Sequence, residues 1–326
     1  MRRIVIAALL IGLGLIASPA AAQFDGSHTL GDFGVQSGTQ PAPGLYVAAF
    51  FYRYDTDTVK NNVGDVVRFP AAANSPSSVG VNAFAPIIWY VSKTKIAGAN
   101  VGAFAVIPFA NMAIDAPIFG LNQSTGAGLS DTLIRPLDLG WHTPRADVIT
   151  GFQFYAPTGS YQFGGSENNG RGMWTSEPFV GTTVHLDAKR TVSLATTAYW
   201  EIHGKKRDTD IKVGQILTLE GGAGKSYAGG GVVVGAAYYA QWKLTADNLG
   251  FSAQLPGGGL FVPELNKHRT FALGPDVTLP VVARDKSKLF ALVNIRYFWE
   301  MGVRTKTQGQ TLVITGTFPV PSVKLK

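Results

Sequence analysis

The chain has 326 residues, of which 15% are charged and 46% hydrophobic, with 39 glycines and a formal net charge of +7. A typical soluble domain carries about 25% charged residues and ~7% glycine, so this balance argues against an ordinary soluble enzyme, and intrinsic disorder is excluded because it needs high charge and few apolar groups. The absence of cysteine removes disulfides, thiolate metal sites and a cysteine nucleophile.

At the start of the chain, Met1-Arg2-Arg3 is a basic n-region, Ile4 to Ile16 is apolar, and Ser18 to Ala22 supply small residues for cleavage before Gln23. Residues 1–22 therefore read as a secretory signal peptide. No later stretch offers 18 consecutive apolar residues, so helical spans are excluded from the mature chain. Residues 23–43 hold Gly and Pro but little pattern, and suit a periplasmic segment or an inserted plug.

From there the hydrophobic period is two, as only a strand produces. Twelve segments follow in order: 44–54, 80–93, 98–109, 131–142, 147–157, 177–187, 191–203, 216–227, 231–244, 269–281, 289–302 and 310–318. Their length matches the roughly 9–11 residues that cross a bilayer at a tilt. Long connections alternate with short ones, as external loops and periplasmic turns do in outer-membrane barrels. The segment 216–227 has the weakest pattern, because Gly221, Gly222 and Gly224 dilute it, yet without it the count would be odd. The expectation is an all-β, closed antiparallel transmembrane β-barrel of about twelve strands (range 10–14) over residues 44–318, with 319–326 as a tail. The location expected is the outer membrane of a Gram-negative bacterium.

Trp200, Trp242 and Trp299 fall near external strand ends, and Trp89 and Trp141 near periplasmic ends. All five are expected on the lipid face, as interfacial aromatic girdles. Leu133, Leu137, Leu139 and Trp141 share one face with Arg135, where a mid-bilayer Arg would cost roughly 2–4 kcal/mol. Pro136 cannot donate to the ladder, so a bulge there is expected to turn Arg135 toward the lumen.

The opposite faces gather polar groups. Gln153, Tyr155, Glu201, His203, Glu220, Tyr239, Gln241, Lys243, Asp276, Asn294, Arg296 and Glu300, with Asp138, are expected to line the lumen, and Arg296 and Glu300 to pair. Their signs are mixed, which implies no strong ion preference. Gly221-Gly222-Ala223-Gly224-Lys225-Ser226 lacks the first glycine of a phosphate loop and any following helix. The histidines have no ligand spacing, and Gly164 to Gly170 offers one carboxylate, too few for calcium. Neither a metal nor another cofactor is implied. The run His203 to Asp210 is the densest in charge; it suits a solvated loop tip, or contact with lipopolysaccharide phosphates.

The chain resembles the family of outer-membrane transporters of the MetA pathway of phenol degradation, the SphA-like proteins. The likeness is carried by Leu137-Asp138-Leu139-Gly140-Trp141-His142, Gly151 to Gly159, Gly172-Met173-Trp174-Thr175 and Glu201 to Asp210. Ile216 to Gly222, Ala237 to Lys243, Lys267-His268-Arg269, Leu273 to Val277 and Arg296 to Glu300 extend it. It implies uptake of hydrophobic or aromatic compounds and supplies no catalytic residues. One departure is that Phe318 is followed by Pro319 to Lys326, where many outer-membrane proteins end on an aromatic residue.

The expectation is thus a channel or uptake protein passing small, hydrophobic or aromatic molecules through the lumen, and not an enzyme. Its partners would be outer-membrane lipid and lipopolysaccharide, a small-molecule solute and the barrel-insertion machinery, with no nucleic acid. The alternatives are a structural barrel whose loops bind lipopolysaccharide or a partner, and, more remotely, an outer-membrane lipid hydrolase. The latter requires a Ser–His pair oriented by a third group.

Overall fold

A computed structural model describes residues 25–67, 78–116, 121–163, 167–227, 231–248, 267–282 and 289–320. The signal peptide, most of the 245–268 loop and residues 321–326 lie outside the described residues. The strands in chain order are β1 (Gly44–Val59), β2 (Ser78–Ile96), β3 (Ala99–Val106), β4 (Phe109–Ala116), β5 (Leu121–Ser124), β6 (Gly128–Leu129), β7 (Thr132–His142) and β8 (Ala146–Ala156). They continue with β9 (Thr175–His185), β10 (Val192–His203), β11 (Ile216–Tyr227), β12 (Val232–Lys243), β13 (Arg269–Val282), β14 (Leu289–Arg304) and β15 (Thr307–Val320).

Every neighbouring pair is antiparallel, and the sheet closes: β1 pairs with β2 on one side and with β15 on the other, from Leu45↔Val320 to Val59↔Thr307. β3 and β4 are one strand interrupted at Ile107-Pro108, since both pair with β2; β6 continues into β7 beside them. The wall is therefore a closed ring of twelve strands, with the β4–β5 hairpin rising above it. Closure pairs the backbone groups that lipid would leave unpaired, each worth several kcal/mol. β11 takes its place despite its glycines, fully paired with β10 and β12. Pro319 and Val320 also belong to the wall, opposite Tyr46 and Leu45, so β15 runs two residues into the expected tail.

Alternation decides which side chains meet lipid. Along β12, Val233, Ala237, Tyr239, Gln241 and Lys243 are buried inside, while Val234 is exposed outside. Phe84, Tyr90, Phe152, Val180, Leu194, Leu273 and Trp299 are among the exposed residues of the outer belt. Trp141, Trp200, Trp242 and Trp299 lie on this outer face, the Trp141 Nε1–H donating to Ala97 O at 2.9 Å. Trp89 corrects the girdle expectation. It shares parity with buried Ala85, Ile87 and Val91, and its ring meets Phe104 edge-on at 5.5 Å inside the barrel. β2 is apolar on both faces, so its alternation could not identify the lipid side; Tyr90 is the interfacial ring there.

β7 carries the expected irregularity. Its ladder with β8 shifts between Ile134 and Leu137, giving one extra residue at Arg135-Pro136. Such a bulge exchanges the two faces. Above it, Leu133 and Arg135 are buried inside; below it, Asp138 is inside while Leu137 is exposed. Leu133 is thus a lumen residue, not a lipid-facing one.

Single-tryptophan variants in liposomes of brominated lipid test this assignment. Trp141, Trp200, Trp242 and Trp299 should each be quenched. Equal quenching of Trp89 would reject the inward face of β2.

Candidate functional site: a lumen filled by the N-terminal segment

Asp25 to Gln40 run through the barrel interior, from the end bearing the long loops to the end bearing the short turns. Asp25 lies 3.1 Å from Lys306 Nζ and 3.6 Å from His268 Nδ1, at the long-loop end. Ser27 and His28 donate backbone N–H to Glu201 Oε1 at 2.6 and 3.0 Å. Gly31 and Phe33 donate theirs to the two oxygens of Glu220 at 2.6 and 3.0 Å. Val35 N–H reaches Asp276 Oδ2 at 2.8 Å. At the short-turn end Thr39 Oγ1 donates to Asp147, and Gln40 Nε2 to the carbonyl and carboxylate of Asp138 at 3.2 Å.

Wall carboxylates thus receive the amides that an irregular segment cannot pair within itself. The glycines of the segment let its backbone come close enough. A Cβ on Gly34 would overlap the Asp276 carboxylate, and Gly31 adopts φ 82° against the Phe298 ring. His28 adds a side-chain contact, its Nδ1 2.7 Å from Glu177 and its Nε2 3.3 Å from Glu220. Leu30 packs into the cluster of Phe50, Phe104, Tyr239 and Phe298, and Phe33 against Phe179 and Tyr199.

All the polar residues expected inside are found there, buried except for half-buried Asn294. They form two groups. Asp138, Glu201, Glu220, Asp276 and Arg296 hold the inserted segment, Arg296 donating to Asp32 O at 2.5 Å. The others brace the wall: Gln153 links Arg135 to Glu177, and Tyr239 donates to Glu300 at 3.1 Å. His203 Nδ1 contacts Gly214 O at 2.9 Å, and Lys243 pairs with Asp247 at 2.8 Å. Gln241 meets His268 and Lys306, Asn294 donates to Asp276 at 2.6 Å, and Tyr155 is packed in the apolar cluster. Arg296 and Glu300 do not pair with each other. Four residues along a strand separate them by about 13 Å, and Glu300 is taken up by Tyr54, Tyr239 and Gly309 N–H.

Two members of the site were missed in sequence. Glu177 opens the segment expected over 177–187, and in β9 it shares parity with Phe179, Gly181, Thr183 and His185. Asp147 gathers His142, His185 and Arg190 at 3.1, 3.2 and 2.6 Å. Ser193 Oγ lies 3.1 Å from His185 Nδ1, which extends the cluster to a Ser193–His185–Asp147 chain. Arg190 Nη2 sits 2.8 Å from His185 Nε2 and can only donate. The same Nε2 lies 3.2 Å from Asp147 Oδ2, so the Asp147 carboxylate gathers His185 and Arg190 together. The cluster serves as an anchor for Thr39.

The charge run at the loop tip is largely self-satisfied: Lys205 pairs with Asp210 at 2.7 Å and Arg207 donates to Pro157 O at 2.9 Å. Lys206 is buried, donates to Arg171 O at 2.7 Å, and lies 5.0 Å from the Tyr161 ring centroid. Burial, then the neighbouring Arg171, lowers its ammonium pKa to about 7.

The chain matches the family model described as "Putative MetA-pathway of phenol degradation" over residues 56–315. Comparison with curated proteins gives no match. Among solved structures, an outer membrane channel from Pseudomonas putida F1 is similar with a TM-score of 0.71 at 12% identity, covering 90% of this chain and 100% of that one. The transport unit of the autotransporter AIDA-I from Escherichia coli gives 0.44 at 8% identity, covering 96% and 98%. The β domain of the Bordetella autotransporter BrkA gives 0.42 at 12%, covering 86% and 100%.

Glu220→Gln weakens the hold on Gly31 and Phe33. Each charge-assisted bond contributes about 1.5–3 kcal/mol, so the displaced population should rise roughly tenfold or more. With no native cysteine, maleimide labelling of a single Ser37→Cys, at a position 4% exposed at rest, reads that rise; an unchanged rate would discount the carboxylate clamp. At the loops, Lys206 favours its neutral form when folded, so the loop contact should strengthen as pH rises from about 7 toward the ordinary lysine value near 10.5. Hydrogen exchange of residues 157–174, corrected for its intrinsic pH dependence, should show this gain, and Lys206→Met should abolish it.

Proposed function

We propose that the chain, which belongs to the family of the MetA pathway of phenol degradation, is an outer-membrane channel that passes small hydrophobic or aromatic molecules and is closed at rest by residues 25–40. The observation that carries this reading is the nature of the filling. Among the described residues the segment's covalent link to the wall is through Pro43 and Gly44, and carboxylates of four strands hold its amides by bonds that can be exchanged for water or solute. A barrel of twelve strands lies between small barrels filled by side chains and open porins of sixteen or more. Its interior therefore needs either permanent packing or a removable occupant.

The aromatic preference rests on the inner face itself. Phe50, Phe104, Tyr155, Phe179, Tyr239 and Phe298 are buried inside the ring. The protein acts as a conduit, without catalysis or cofactor. Export with cleavage before Gln23, delivery to the insertion machinery, and contact of the outer belt with lipid and lipopolysaccharide complete the reading.

Reconstitution in planar bilayers tests it. The chain lacking residues 25–40 should show a larger and steadier conductance than the full chain, and liposomes carrying it should take up toluene or benzyl alcohol faster. A truncated barrel that folds, by its heat-dependent gel shift, yet conducts no better than the full chain would overturn the proposal.

A further inference from the structure

The bulge at Arg135-Pro136 delivers Arg135 into the lumen. The side chain is 2% exposed, and its guanidinium carbon lies 4.2 Å from the Phe179 ring centroid, 4.9 Å from Phe104 and 5.9 Å from Phe33. Its Nε donates to Gln153 at 2.8 Å, and Nη1 lies 3.6 Å from Asp138 Oδ2. Among the described residues, Nη2 has no hydrogen-bond partner. A guanidinium presents five donors and recognises carboxylates through paired N–H groups. Here one edge is left free among rings, in a place where an unpaired buried donor is costly.

Two of the three rings belong to the wall, Phe104 on β3 and Phe179 on β9. The third, Phe33, belongs to the inserted segment and also stacks on Tyr199 with centroids 6.4 Å apart and an interplanar angle of 18°. The preceding residue, Asp32, is half-buried beside the Glu220 carboxylate, and no hydrogen bond or ion pair joins it to Arg135 among the described residues.

We infer that Arg135, with Phe104 and Phe179, is a binding site for an aromatic carboxylate, and that the Phe33 ring occupies its ring position at rest. An entering aromatic acid takes the ring position of Phe33 and gives the free Nη2 edge the partner it lacks. Displacement of Phe33 also strains the Phe33 N–H bond to Glu220, so occupancy of the site loosens the segment. The inference rests on the channel reading for its physiological use, but binding is measured separately from conduction.

Calorimetry on the full chain in detergent micelles, with benzoate as probe, tests it. Phe33→Ala, which empties the ring position, should bind benzoate at least tenfold more tightly than the unaltered chain. Adding Arg135→Gln should reverse that gain for benzoate and leave benzyl alcohol, which lacks the charge, unaffected; acetate, which lacks the ring, should bind to neither. In the otherwise unaltered chain carrying Ser37→Cys, at a buried position, benzoate but not benzyl alcohol should speed maleimide labelling, a measurement that holds even if Arg135→Gln fails to fold. Benzoate affinity unchanged by Phe33→Ala, or labelling unmoved by benzoate, would overturn the inference. If the chain lacking residues 25–40 still conducts, the channel reading survives that failure; if it does not, the channel reading falls while the binding result stands.

Discussion

Hydrocarbon offers no partner to a backbone amide, and everything else in this molecule follows from that. A sheet that must satisfy every N–H and C=O from within has to close, and β1 does so by pairing along β15 and β2 at once. Closure creates a second compartment besides lipid and water. Charged side chains are excluded from the outer face by the cost of burying them in lipid, so Glu177, Glu201, Glu220, Asp276 and Arg135 gather inside. Once there they need partners of their own, and twelve strands enclose too much space for wall side chains to supply them all.

The inserted segment meets that need from the other direction. Its irregular backbone has amides without a ladder, and the interior has carboxylates short of donors. Neither would be stable alone in a dry barrel, because an unpaired buried polar group costs more than a single hydrogen bond returns. The two deficits cancel along a line from Asp25 to Gln40. The match is reversible in principle, since water can serve both sides equally well when the segment is withdrawn.

How much of this was legible in the sequence depended on how unequal the two faces of each strand are. Where one face is polar, as in β10 and β14, alternation alone placed Glu201, His203, Arg296 and Glu300 inside. Even the glycine-diluted β11 was recoverable, because chain direction demanded an even count. β2 defeated the method: both its faces are apolar, and Trp89 went to the wrong one. β7 half-yielded, since Pro136 announced a bulge but the exchange of Leu133 with it went unread. The pairing expected of Arg296 with Glu300 failed on geometry, a helical spacing applied to an extended strand. The path of residues 25–40 could not be read at all. Its order comes from contacts with residues 60 to 281 positions away, and no local period encodes them.

The segment and β1 run in opposite directions, joined by the bend at Pro41-Ala42-Pro43. Any pull applied at that bend loads the contacts one after another, as a strip of tape is peeled from its edge. Gln40 would leave Asp138 first, then Thr39 its anchor, then Val35, Phe33 and Gly31, with Asp25 last to part from Lys306. Each stage breaks one to three bonds, so a bore opened in this way would widen by increments and rest at intermediate apertures.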